Sequence, residues 1–526
     1  MPERDARMWA VPPQPDRLQG PREIRLRDDG WVPRSATSAI RIGIAAGVLL
    51  FRLPTLTEPA WYSDDGFFMT VSWLTTQGLK LYSGVYDNSP PGIYWLYRLL
   101  LEMGARDNHF VVQSAAAAAV IVVAMLTFEV ARRIAPLWPA ALAGGLTGLV
   151  LSLPVLDGDV FNVEIAGLPF FMAALVLAFN PGRTAALASG VLLGAAITIR
   201  PSYALDGLAI VLVLVTTGPL LARAAAATVG LAAAGLAVTI ALWATGSLVA
   251  YLDTVLPSDH GYMVWANGGS LIPLYIRLAA LGAVGLVGLA RSRTLQGRLL
   301  AAWIPASIAG ASLTPRELTH YVHEAIPPLA VGISLLAVRV RWSPLAAPIA
   351  ALALVAAAEA VLVLPAQETA TVQRTGAPAP FLHNFAYAGL PAYYANWLAF
   401  AAGARDRSAY DAWFPGRASL DVAELQSLRQ PAQPVRIIVV GDRPWLYVKG
   451  GVLPATPFIA TNSAFWQVSW GRAAIARAVG AGCADFVVYI DAEPDWSRQL
   501  QSDAYVRVQG APWVTYKPLH RSLACG

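Results

Sequence analysis

Charge is scarce in this sequence: Asp, Glu, Lys and Arg make up 13% of 526 residues, while apolar residues reach 56%. A soluble domain carries roughly a quarter charged residues, so an ordinary soluble fold is excluded and a membrane protein is expected. Two cysteines, Cys483 and Cys525, are too few for a disulfide scaffold. There is no zinc-ligand spacing, no Walker loop, no GxGxxG after a strand and no fixed-period repeat. Nucleotide-driven chemistry and solenoid folds therefore have no support. The first 35 residues contain no apolar core for a cleavable signal and are rich in Arg and Pro, which suits a disordered cytoplasmic segment over 1–36.

Apolar runs of about 20 residues, the length that crosses a bilayer, are present instead. They fall near 37–55, 110–131, 137–155, 164–180, 184–200, 203–220, 223–245, 271–290, 299–314, 319–338 and 344–365. About eleven transmembrane helices are thus predicted over 37–365. Cytoplasmic loops carry an excess of Lys and Arg. The N-terminal arginines, Arg132 with Arg133, Arg183, Arg223, the Arg291–Arg293–Arg298 cluster and Arg339 with Arg341 alternate consistently with an inside N-terminus. Facing out would be loop 56–108, segment 155–163, the turn 200–202, loop 246–270, segment 314–319 and everything after 366. Strand-like VRIIVVGD and ADFVVYI flank a helix-like GRAAIARAVGAG in that tail, which predicts a small α/β domain over 366–526. A Cys483–Cys525 disulfide and two unpaired thiols are equally compatible with it.

The chemistry gathers on the predicted outer face. WYSDDGFF places Asp64 and Asp65 side by side just beyond the first span, beside Tyr62. Asp-Asp-Gly is also a common turn or helix-start signal. The following residues 66–82 have an amphipathic pattern that predicts a helix lying in the membrane interface, capped by the two aspartates. DNSPPGIYWLY, with Asn88, then starts a second aromatic-rich helix. Asp157, Asp159 and Glu164 open the fourth span, Arg200 closes the fifth, and Arg316, His320, Tyr321 and His323 open the tenth. Ionisable groups at membrane depth are costly and point to function. A carboxylate base with an Arg/His phosphate clamp suits group transfer from a lipid-linked phosphate. Such a leaving group needs charge stabilisation more than a proton. The carboxylates can hold a divalent cation through oxygen ligands or work without one.

In these stretches the chain resembles the C-type (GT-C) glycosyltransferases, the multi-span superfamily of protein O-mannosyltransferases and the aminoarabinose transferase of lipid A. FRLPTL, WYSDDGFF, DNSPPGIYWLY, DVFNVE, TIRPSY and RELTHYVHEAIPPLA occur in the family's order over about residues 37–340. The resemblance implies a polyprenyl-phosphate sugar donor, inversion at the sugar, and a cell-envelope glycan, glycolipid or protein as acceptor. Asp64 takes the place of the catalytic aspartate, Asp65 stands where the family has Glu, and Ser89 where one group has Lys. The missing lysine shifts donor-phosphate binding to Arg200, Arg316, His320 and Tyr321. The second outer carboxylate is matched by Asp157, Asp159 or Glu164, with Asp159 favoured. The alternative from another class is a multi-span transporter or lipid-handling protein, but inverted repeats and mid-membrane helix breaks are not found.

Overall fold

The structure, a computed structural model, describes residues 34–314, 319–339, 389–414, 422–423, 425–426, 435–441, 443–460, 471–489, 505–508 and 514–518. Its helices run α1 (Arg34–Arg52), α2 (Ser63–Thr76), α3 (Pro91–Glu102), α4 (Phe110–Ile134), α5 (Leu137–Val150), α6 (Val163–Ala178), α7 (Arg183–Ile199), α8 (Tyr203–Thr216), α9 (Leu220–Ala244), α10 (Leu248–Ala250), α11 (Leu256–Ala266), α12 (Ile272–Arg291), α13 (Leu295–Ala311) and α14 (Ile326–Arg339). Beyond them come α15 (Gly389–Ala401), α16 (Arg407–Asp411), α17 (Trp445–Gly450) and α18 (Gly471–Gly480). Among the described residues, α1, α4, α9 and α12 are long and apolar enough to cross a membrane, and α5 to α8 are shorter apolar helices. The membrane-protein expectation is met, with helices at ten of the expected spans; 344–365 lies outside the described residues. Small residues set the packing. A Cβ on Gly190 of α7 would lie 1.9 Å from the Ala227 carbonyl oxygen of α9, and one on Gly230 would lie 2.1 Å from that of Leu187. Backbones approach this closely only where side chains are absent.

Three local expectations are corrected. Residues 319–325 form a 3-10 segment rather than the start of a span. The helix begins at Ile326, because Pro327 and Pro328 lack the N–H that an interior position must donate. Residues 246–270 are largely helical, α10 and α11 being joined by a π-turn, Tyr251–Val255. The cover of the aspartate helix α2, expected from its amphipathic pattern to be lipid, is protein: Met69, Thr70, Val71 and Leu74 are fully buried, between α3 and α17.

The tail carries a five-stranded sheet built from β1 (Arg436–Val440), β2 (Leu453–Pro454), β3 (Phe486–Tyr489), β4 (Tyr505–Arg507) and β5 (Val514–Pro518). Their order is β2-β1-β3-β5-β4. β1 runs parallel to β2 and β3, and β5 antiparallel to β3 and β4. Cys483 is in a disulfide; Cys525 lies outside the described residues, as do residues 1–33. The sheet rests on the segment between α2 and α3, where the Tyr86 N–H donates to the Pro457 carbonyl at 2.7 Å. Residues 389–401 are not part of it. They form α15, whose Tyr394 hydroxyl donates to the Phe51 carbonyl at the end of α1, 3.0 Å away.

Candidate functional site

Tyr62 is the N-cap of α2 and offers no side-chain cap, so Asp64 and Asp65 sit within the first turn rather than capping it. That turn favours carboxylates, because the helix dipole presents its positive end there. Successive residues leave the helix in different directions, and the pair divides accordingly. Asp64 is partly exposed. Asp65 is sealed, accepting from the Tyr97 hydroxyl at 2.6 Å and the Phe161 N–H at 3.1 Å. Burial pushes its carboxyl up to about 6, against these two bonds and the Arg52 guanidinium. Asp65 thus staples α2 to segment 157–162 and has no open path to an acceptor.

That segment is bent back on itself. Asp157 holds a left-handed backbone, φ 54°, at the end of a 3-10 turn. Its Oδ2 lies 3.0 Å from His320 Nδ1. His320 Nε2 faces Glu164 Oε1 at 3.9 Å. Burial opposes charge on the imidazole, but Glu164, Asp157 and Asp64 outweigh it and hold His320 at about 9. It is a cation at neutral pH. His323, one 3-10 turn on, bonds the Leu156 carbonyl at 2.7 Å, and burial depresses it to about 4, so it stays neutral.

Arg200 lies beside them, its side chain 12% exposed. Its guanidinium pairs with Glu164 through Nη1 and with Glu324 through Nε at 2.5 Å, and it donates to Ser202 at 2.8 Å. It also lies 5.2 Å from the centroid of the Tyr321 ring. The Tyr321 hydroxyl meets that of Tyr262 at 3.2 Å. Arg200, expected to bind a donor phosphate, is therefore already committed to carboxylates. The structure brings together Tyr62, Asp64, Asp157, Glu164, Arg200, His320 and Tyr321. Asn88 stands apart, its amide 3.5 Å from Asp259. Arg316 lies outside the described residues.

Asp159 is buried, and neither carboxylate oxygen has a hydrogen-bond partner. Burial raises its carboxyl well above the ordinary value, with Glu58 and Asp157 adding to the rise. Glu58 accepts from Trp61 Nε1 at 3.0 Å and from the Tyr393 hydroxyl of α15. Burial brings it to about 7, although these bonds and Arg52 pull it down. Arg52 donates to the carbonyls of Leu151 and Gly158, and so ties down the bend carrying Asp157 and Asp159. Sequence reasoning missed Glu58, Arg52 and Glu324 as site residues. Glu58 and Arg52 stand 6 and 12 positions before Asp64, and Glu324 follows His323; each was readable as an ionisable group next to a span end. Among the described residues no group of three or more His, Cys, Asp or Glu side chains is arranged to hold a metal ion.

A helical bundle with paired carboxylates at the start of α2, a His/Arg cluster at the ends of later helices and an α/β tail is similar in fold to the C-type glycosyltransferases of solved structure. The particular likeness is to the crystal structure of ArnT from Cupriavidus metallidurans bound to undecaprenyl phosphate. It covers 92% of this chain and 98% of that one, with a TM-score of 0.54 at 15% identity. Archaeal oligosaccharyltransferase AglB from Archaeoglobus fulgidus, in complex with an inhibitory peptide and a dolichol-phosphate, aligns over 88% of this chain and 70% of that one. Its TM-score is 0.44 at 12% identity, below the level of a shared fold. No family model and no curated protein matches the sequence.

Proposed function

We propose that this protein transfers a glycosyl group from a polyprenyl-phosphate-linked donor to an acceptor hydroxyl on the extracytoplasmic face, with inversion at the sugar and Asp64 as general base. The observation that carries the reading is the division of labour within the adjacent pair: Asp64 is reachable and lies in the field of a cationic His320, while Asp65 is sealed. A carboxylate needs only to accept the acceptor's proton as the hydroxyl attacks the anomeric carbon. The polyprenyl phosphate leaves with the electrons of the broken bond, and cationic or hydroxyl donors stabilise its charge.

Those donors are divided as well. Arg200 organises Glu164 and Tyr321, and on this reading a phosphate oxygen would be received by His320 Nε2–H, in place of its 3.9 Å contact with Glu164, and by the Tyr321 hydroxyl, in place of its contact with Tyr262. Four carboxylates, on Asp64, Asp157, Glu164 and Glu324, surround the two cations. The anionic donor therefore meets a site that is net negative even with His320 protonated, and a bound cation would offset the remainder. Burial of the site against bulk water strengthens each of these interactions.

The test incubates purified protein in nanodiscs with radiolabelled polyprenyl-phosphate sugars and membrane extract, beside Asp64→Asn. The amide keeps the volume and loses the basicity, so turnover should fall about 10²- to 10⁴-fold with folding and insertion unchanged. Near-normal turnover in the variant removes Asp64 from the mechanism. No transfer from any donor by folded wild-type protein rejects the reading.

A further inference from the structure

The acidic turn of α2 does not hold itself. Its N-cap supplies no side-chain bond, and the first helical hydrogen bond, Gly66 N–H to the Tyr62 carbonyl, is long at 3.3 Å. What closes it comes from the tail of the chain. Trp445, the first residue of α17, donates its indole N–H to the same Tyr62 carbonyl at 2.7 Å. The indole also lies flat against Gly66: a Cβ there would sit 2.7 Å from Cδ1 and 2.8 Å from Nε1. One indole therefore grips both ends of the stretch that contains Ser63, Asp64 and Asp65.

The grip is itself braced. Trp445 is buried, His109 meets it edge-on at 5.4 Å, and the Lys449 ammonium lies 5.6 Å from its ring centroid. One turn further along α2, the Thr70 hydroxyl donates to the Pro444 carbonyl at 2.8 Å. Arg106, just before α4, donates to the Val448 carbonyl at 3.1 Å. A tryptophan that served only as core would not need a glycine opposite it and its N–H on a helix N-cap carbonyl.

We propose that Trp445 is a positioning residue for the base, so that the outer α/β unit is a working part of the site. This rests on the assignment of Asp64 above. Because the unit and the turn share this one side chain, a shift of α17 moves the carboxylate. A displacement on the order of 1 Å is enough to cost about 10²-fold in rate.

The experiment uses the full chain in nanodiscs with Trp445→Phe, Gly66→Ala and the double variant. Trp445→Phe removes the N–H and narrows the ring; Gly66→Ala pushes a methyl group into it. Each single variant is expected to lower kcat about tenfold or more with the donor KM held within about twofold. In the double variant the smaller ring makes room for the methyl, so its loss is expected to be smaller than the product of the two singles. A second readout needs no donor: the rate of carbodiimide labelling at Asp64, read by peptide mass spectrometry, should change about threefold or more in each single variant. Labelling that changes while the wild type transfers no sugar upholds the positioning and rejects the glycosyl-transfer reading. Normal wild-type transfer, with kcat and labelling unchanged in both variants and only the melting temperature lowered, overturns the positioning and leaves that reading standing. Losses in kcat that simply multiply in the double variant also overturn it.

Discussion

Arg200 offers the sharpest separation of a structural role from a ligand-binding one. Its guanidinium serves two carboxylates, Glu164 and Glu324, that are essentially inaccessible to solvent. Arg200→Gln leaves both without their countercharge. Breaking a buried ion pair by removing one partner costs about 3–5 kcal/mol, which corresponds to roughly a 10²- to 10⁴-fold loss in the folded-to-unfolded ratio. Arg200→Lys keeps the charge but offers a point donor instead of a fork, and should fall between. The triple variant Arg200→Gln/Glu164→Gln/Glu324→Gln removes the charges together and should recover most of the loss, because a neutral set no longer carries the desolvation of unpaired ions. The assay is thermal denaturation of nanodisc-embedded protein, followed as the fraction that remains soluble and monodisperse. Arg200→Gln melting with the wild type, or the triple variant melting no higher than Arg200→Gln, would refute the argument and return Arg200 to the role of a direct phosphate ligand.

The pH dependence of stability follows from His320. Its folded pKa of about 9 exceeds the ordinary 6.5, so the stabilisation it contributes is fully present below pH 6.5 and is lost as pH rises through 9. Melting temperatures between pH 6 and 10 should fall across that window in the wild type and show a shallower fall in His320→Gln; parallel curves would refute the assignment. Arg52→Met removes the bonds to the Leu151 and Gly158 carbonyls and a charge that holds Asp65 and Glu58 down. Turnover should drop about tenfold or more, because the bend carrying Asp157 loses its anchor; turnover within about twofold of the wild type would separate Arg52 from the site.

The apolar runs made the bundle legible, since a stretch of about 20 apolar residues has few other uses, and the adjacent Asp64 and Asp65 pointed to the site proposed above. What could not be read was which carboxylate is sealed. Asp65 is buried by Tyr97 and Phe161, 32 and 96 positions away, and no local pattern encodes that meeting. The committed state of Arg200 was hidden for the same reason, its partners lying 36 and 124 positions away. The amphipathic pattern of α2 pointed to a bilayer surface, but the cover is protein: Pro444 and Trp445 arrive from more than 370 residues downstream. Only Pro327 and Pro328 could have warned that 319–325 would not be a regular helix.

Asp157 is one of two residues other than glycine with positive φ among those described; the other, Tyr82 at φ 70°, also lies in a connection between helices. Backbone in this region is tolerated by aspartate at modest cost and is poorly tolerated by bulky residues. The helices beneath provide a frame, and the uncomfortable conformations are left at its rim, beside the proposed site. A glycine at 157 would relax that bend and forfeit the carboxylate that faces His320, so backbone comfort and the pairing of the imidazole make opposite demands on this one position.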